Sequence, residues 1–132
     1  MEEKKTELAL RLKTLEQALI TLEEALAQSF SVIVRDATIQ RFEYTFELAW
    51  KLFRKVARIE GIEVNSPRQA IRAAYDVGLL EDIDLWFELL EDRNRTSHTY
   101  DETIASQVFE SAGRLPATLR AAIMIIRQNY LR

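Results

Sequence analysis

Leucines set the first rhythm of this chain. Leu8, Leu12, Leu15, Leu19, Leu22 and Leu26 recur at alternating steps of four and three, the spacing that lays one apolar stripe along a helix. The stripe predicts a helix from about Glu3 to Gln28. It spans roughly three heptads, too short for a stable free coiled coil, so its expected partner is the rest of the chain. Ile39, Phe42, Phe46, Ala49, Trp50, Phe53, Val56 and Ala57 form a second stripe, with Asp36 before them as N-cap, and predict a helix ending near Gly61. Asn65-Ser66-Pro67 reads as a cap followed by proline in a first turn. A short helix from Pro67 should stop at Gly78. Asp82 or Asp84 then opens a fourth, with Ile83, Trp86, Phe87, Leu89 and Leu90 as its apolar face, ending around Ser97. Asp101 caps the last pattern, through Ile104, Val108, Phe109, Leu119, Ile123, Ile126 and Tyr130. Gly113 and Pro116 interrupt it, and proline's missing amide predicts a kink or break near Arg114–Pro116.

No strand pattern, repeat or linker appears. The expected architecture is all-α: an antiparallel up-and-down four-helix bundle with a short additional helix, folded as a single domain over residues 1–132. Three glycines and two prolines leave little turn chemistry for anything else.

Charge and cysteine content narrow the function. Eighteen Lys and Arg against 21 Asp and Glu give a net charge of −3, which argues against general coating of nucleic acid but not against a local basic site. Arg54, Lys55, Arg58, Arg68, Arg72, Arg93 and Arg95 lie among acids, and only a fold can bring them together. With no cysteine and one histidine, thiolate zinc sites, cysteine nucleophiles and multi-histidine metal sites within one chain are excluded. Neither a cofactor nor a metal is expected. The N-terminus has no apolar signal-like run, and no stretch has the length of a membrane span, so the expectation is a cytoplasmic protein with no membrane partner.

Candidate chemistry concentrates in Arg93-Asn94-Arg95-Thr96-Ser97-His98-Thr99-Tyr100. His98 is the only side chain whose ordinary pKa, near ~6.5, suits proton transfer at neutral pH. Arg93 supplies a fixed cation able to hold a phosphate. On a continuous helix five residues turn through about 500°, leaving Arg93 and His98 about 140° apart. A helix ending near Ser97, followed by extended His98-Thr99-Tyr100, would release His98 and put imidazole and phenol on one side. Imidazole and guanidinium without metal suit RNA cleavage by the internal 2′-hydroxyl, which needs a base, an acid and a cation. One histidine fills one role per chain, so this mechanism requires a symmetric homodimer. On residue types alone, an ordinary surface or capping histidine and i,i+3 and i,i+4 ion pairs to Glu88, Glu91 and Asp92 account for the segment better than chemistry does.

The Arg-x4-His-x-Tyr spacing, with Asn94 directly after Arg93, resembles the motif of the HEPN superfamily in the variant of the HepT toxins. Arg41-Phe42-Glu43-Tyr44-Thr45-Phe46-Glu47-Leu48-Ala49-Trp50-Lys51 is similar to the second-helix signature of nucleotidyltransferase substrate-binding proteins. The likeness covers nearly the whole chain. It implies a HEPN-like bundle in which Arg93 and His98 are catalytic in a metal-independent endoribonuclease at a homodimer cleft, with Asn94 supporting them. It further implies that Tyr100 is adenylylated by a cognate minimal nucleotidyltransferase, the antitoxin of a toxin–antitoxin pair, with RNA as substrate. The same family likeness admits a non-catalytic subunit that presents a nucleotide or other substrate to the nucleotidyltransferase.

Other residues carry weaker signals. Glu43 and Glu47, four apart, have the spacing of paired carboxylates, though pairing with Arg41, Lys51 or an arginine of another helix explains them as well. Trp50, Phe46 and Phe53 are expected in the core rather than as base-stacking platforms. Of Trp86 and Phe87, one should enter the core and the other a dimer contact.

Overall fold

In the computed structural model, which describes residues 2–132, the chain is all-helical: α1 (Glu2–Leu26), α2 (Val32–Ile59), α3 (Pro67–Asp76), α4 (Ile83–Asn94) and α5 (Glu102–Tyr130). Cross-helix ion pairs fix the directions. Lys55 near the end of α2 reaches Glu7 near the start of α1 at 2.7 Å, so these two run antiparallel. Arg120 and Arg127 of α5 pair with Glu23 and Glu16 of α1, in reverse order. Glu88 of α4 meets Arg114 of α5 at 3.0 Å, and Asp92 meets Ser111, again in reverse. The result is an up-and-down bundle of α1, α2, α4 and α5, with α3 as the short extra helix. No described helix is long and apolar enough to cross a membrane.

The two sequence stripes are the core. Leu8, Leu15, Leu19 and Leu22 of α1 are fully buried against Phe42, Phe46 and Phe53 of α2, and Trp86 seals the centre with its ring 5.2 Å from Phe53 and 5.8 Å from Phe46. Its indole N–H donates to Thr118 at 2.9 Å, so the polar edge is satisfied. Phe87 packs at the periphery instead, under the Arg68 guanidinium, 4.3 Å from its ring centroid. Ser66, Asp82 and Asp101 cap α3, α4 and α5 as expected, each accepting a first-turn amide. Gly78, just past α3, takes φ +86, a left-handed conformation that favours glycine.

The start of α2 and the course of α5 differ from expectation. Helix α2 begins a turn earlier than Asp36: Ser31 is its cap, its hydroxyl accepting the Val34 amide at 3.0 Å. The extra turn brings Arg35 into a buried position, where it pairs with Glu102, and Asp36 becomes its exposed partner rather than a cap. Helix α5 runs unbroken through Pro116. Buried side chains flank the proline on both sides (Val108, Ala112, Leu115, Leu119, Ile123), and this shared apolar face outweighs the one hydrogen bond that proline removes.

Candidate active site

The Arg93–Tyr100 segment is the junction between α4 and α5. Helix α4 stops at Asn94, earlier than Ser97, and a 3-10 turn covers Thr96–His98. Its backbone is held by amides three residues apart: Arg95 to Asp92 at 3.0 Å, His98 to Arg95 at 2.9 Å, Asp101 to His98 at 3.1 Å. The expected extended His98-Thr99-Tyr100 is absent, because Thr99 lies at φ −77, ψ 1 and continues the turn. Tight winding replaces extension as the reason the two rings meet. The His98 and Tyr100 rings nonetheless lie 6.1 Å apart, edge to face. Both residues are exposed, Tyr100 at 83 %.

Arg93 turns inward from the last turn of α4 and donates to Glu47 of α2 at 2.6 Å. Glu47 also accepts the Trp50 indole N–H at 3.1 Å and faces Lys51 at 3.5 Å. Partial burial pushes the Glu47 carboxyl up, but the indole N–H, the Arg93 charge and Lys51 outweigh it and hold it below the usual carboxylate range. One turn earlier, Glu43 meets the Thr96 hydroxyl. That hydroxyl also faces the Arg93 carbonyl at 2.9 Å, and its single proton serves one acceptor at a time. Both carboxylates of α2 are engaged by the segment. They clamp the start of the segment, Glu47 through the arginine and Glu43 through the turn.

Arg93 is only partly engaged. Its Nε is buried and makes no hydrogen bond among the described residues. Arg95 takes a plainer part, bonding Gln107 and lying 3.5 Å from Asp92 without hydrogen-bond geometry at Nε. Asn94 ends α4 on the side facing α3 and lines a shallow depression with Arg68 and Phe87; it makes no hydrogen bond to Arg93 or His98 among the described residues. Trp50, Phe46 and Phe53 are core residues, as expected. Among the described residues no three His, Cys, Asp or Glu gather in a metal-binding group. Thr96 escaped the sequence reading because nothing in the spacing links it to Glu43 of α2; the Trp50 indole, one helical turn from Glu47, was read only as a core side chain.

What fold and site define is a helical bundle presenting an arginine, an imidazole and a phenol on one exposed helix junction, braced by carboxylates of a neighbouring helix. Residues 10–120 match the family described as "Nucleotidyltransferase substrate binding protein like", and the chain belongs to that family. It is 30% identical to a Haemophilus influenzae protein (strain KW20 Rd) named "Probable ribonuclease HepT", over 76% of this chain and 80% of that one. A Thermus thermophilus protein of known crystal structure is 40% identical and superposes with a TM-score of 0.80, covering 86% of this chain and 98% of its own. HI0074 of Haemophilus influenzae, whose structure was described as the fold of a substrate binding domain of a nucleotidyltransferase, is 25% identical. It gives a TM-score of 0.79 over 89% of this chain and 99% of that one.

Proposed function

We propose that this protein is a cytoplasmic HepT-like toxin: a metal-independent endoribonuclease, a single HEPN-like domain that works as a two-fold homodimer. A cognate minimal nucleotidyltransferase silences it by adenylylating Tyr100. One imidazole per chain requires two chains. In the composite cleft the His98 of one protomer accepts the 2′-hydroxyl proton as that oxygen attacks phosphorus. The partner subunit's His98, protonated, donates to the departing 5′-oxygen as the P–O5′ bond breaks, leaving a cyclic phosphate. The two Arg93 guanidiniums neutralise the charge that builds on the phosphorane oxygens. Asn94 supports the site by closing α4 where the turn begins.

The observation that carries this reading is Arg93 itself, a guanidinium aimed by one carboxylate through a single terminal nitrogen, on the same wound segment as an exposed His98 and Tyr100. Adenylylation fits because the phenol is exposed beside the imidazole, and AMP there places a fixed anion and a nucleoside where an RNA phosphate must approach. A second reading, a substrate-presenting subunit without chemistry of its own, draws on the Glu47 carboxylate already neutralising Arg93. Incubating purified protein with RNA in excess EDTA separates the two. Cleavage by wild type and none by His98→Ala is expected; no cleavage by wild type sinks the nuclease and leaves the presenting subunit. Light scattering should report about twice the 15.4 kDa chain mass, and a clean monomer rules out a composite site.

A further inference from the structure

The solvent side of α2 changes character along its length. From Glu47, helical spacing brings Lys51, Arg54 and Arg58 onto the same face, within about 60° of one another and over roughly 16 Å of axis. Toward the start of the helix the same face is acidic, with Glu43 and Asp36. Arg54 and Arg58 have no carboxylate within 4.0 Å among the described residues, unlike Lys55, which is spent on Glu7 of α1. Arg54 lies over the Trp50 ring, 4.9 Å from its centroid, a cation–π contact that seats the guanidinium on a buried platform. The edge of that indole is the N–H that Glu47 accepts. One tryptophan thus ties the anchor of Arg93 to the first free cation of the ridge.

We propose that Lys51, Arg54 and Arg58 form a track for the sugar–phosphate backbone of single-stranded RNA, leading away from the phosphate held at Arg93. This rests on the ribonuclease reading and adds where the substrate runs. Charge complementarity selects the occupant: a strand of fixed negative charge is drawn toward Arg58 and repelled toward Asp36, so the track has one direction. It answers how a chain of net charge −3 binds a polyanion, by gathering two cations without carboxylate partners, Arg54 and Arg58, beside Lys51 on one helix face. Contacts to phosphate read no sequence, so binding there is sequence-independent and salt-sensitive.

The test is binding of a fluorescein-labelled, fully 2′-O-methylated RNA strand of about twenty nucleotides, which lacks the internal nucleophile and cannot be cut. The double variant Arg54→Glu/Arg58→Glu should lose about tenfold or more in affinity. Arg54→Ala/Arg58→Ala should flatten the dependence of log K on log salt by ~1.4, ~0.7 for each phosphate no longer neutralised. Lys13→Glu, on exposed α1, should bind like wild type, which separates a local track from a general charge effect. Unchanged affinity in the double Glu variant, with wild type still cutting ordinary RNA, overturns the track and leaves the ribonuclease reading standing. A wild type that neither binds nor cuts removes both. Light scattering on the same variants guards against another occupant: if binding and dimer are lost together, the ridge is a contact between copies and the track is overturned.

Discussion

Two arginines tie α2 to its neighbours and do opposite things with their charge. Arg35 leaves α2 for Glu102 of α5, with NH1 at 2.6 Å and NH2 at 3.5 Å, while its Nε bonds Asp36 at 3.1 Å. Every nitrogen is used. Arg93 leaves α4 for Glu47 of α2 through one nitrogen and keeps its Nε unpaired. Arg35 sits at the starts of α2 and α5 and sets their register; Arg93 sits where α4 gives way to a turn. A guanidinium with all three nitrogens bonded to carboxylates is committed to structure. One that bonds through a single terminal nitrogen leaves NH1 without a protein partner among the described residues, free to meet a ligand, and this contrast supports the site proposed at the α4–α5 junction.

The sharpest way to break that contrast is cleavage. Arg93→Ala and His98→Ala should each lose RNA cleavage by about 10²–10⁴-fold, the usual contribution of a positioned acid/base or charge-stabilising group, while remaining folded. Arg93→Lys should also be poor, because an ammonium cannot supply a planar fork. Gel assay and thermal melting together decide it; a cleavage-competent His98→Ala overturns the assignment.

Next in size is stability at the other arginine. Arg35→Ala should lower the melting temperature by several degrees, since it strands a buried site between α2 and α5 and leaves Glu102 without the guanidinium that holds its carboxyl below the usual range. A melt indistinguishable from wild type would erase the distinction between the two residues.

Glu47→Gln sharpens the comparison more gently. It removes the charge that aims Arg93 and should cut kcat by about tenfold, the size of a misaligned rather than absent group. Its pH signature is separate from catalysis. The Glu47 carboxyl is depressed in the folded protein, so its contribution is complete above the unfolded value, ~4.3, and is lost as pH falls through the lower folded value. Wild type should therefore lose stability below about pH 5 faster than Glu47→Gln, measured by urea unfolding across that window. Equal acid sensitivity would show that the clamp contributes nothing.

The smallest structural effect belongs to Tyr100→Phe, because that ring is mostly in solvent. It should fold and cut RNA like wild type yet gain no mass with partner nucleotidyltransferase, ATP and Mg²⁺. An undiminished mass gain by intact-mass measurement places the modification elsewhere.

Much of this could be read from the chain because helical periodicity is local. The leucine stripe of α1, the aromatic stripe of α2 and the caps at Ser66 and Asp101 needed only neighbouring residues. What failed was decided at a distance. Asp36 looks like a cap until Glu102, far along the chain, pulls Arg35 into the bundle and with it one more turn of helix. Pro116 looks like a break until the apolar face on both sides of it is counted. Glu47 carried the right spacing, but which arginine would claim it depended on where α4 ends. The turn at Thr96–His98 was the hardest of all: polar residues signal that a helix stops, not how the chain winds afterwards.

The placement of the two tryptophans makes the molecule its own optical instrument. Trp86 is sealed in the core with its N–H on Thr118, so its emission should stay blue and respond only to unfolding. Trp50 has its N–H on the carboxylate that Arg93 holds and its face under Arg54. An anion drawing Arg93 away from Glu47 would change the field along that indole, while Trp86 touches neither member of that pair through its N–H, which is held by Thr118. Anion binding at the proposed site and integrity of the bundle could thus be followed in one cuvette, at two emitters, without attaching a dye.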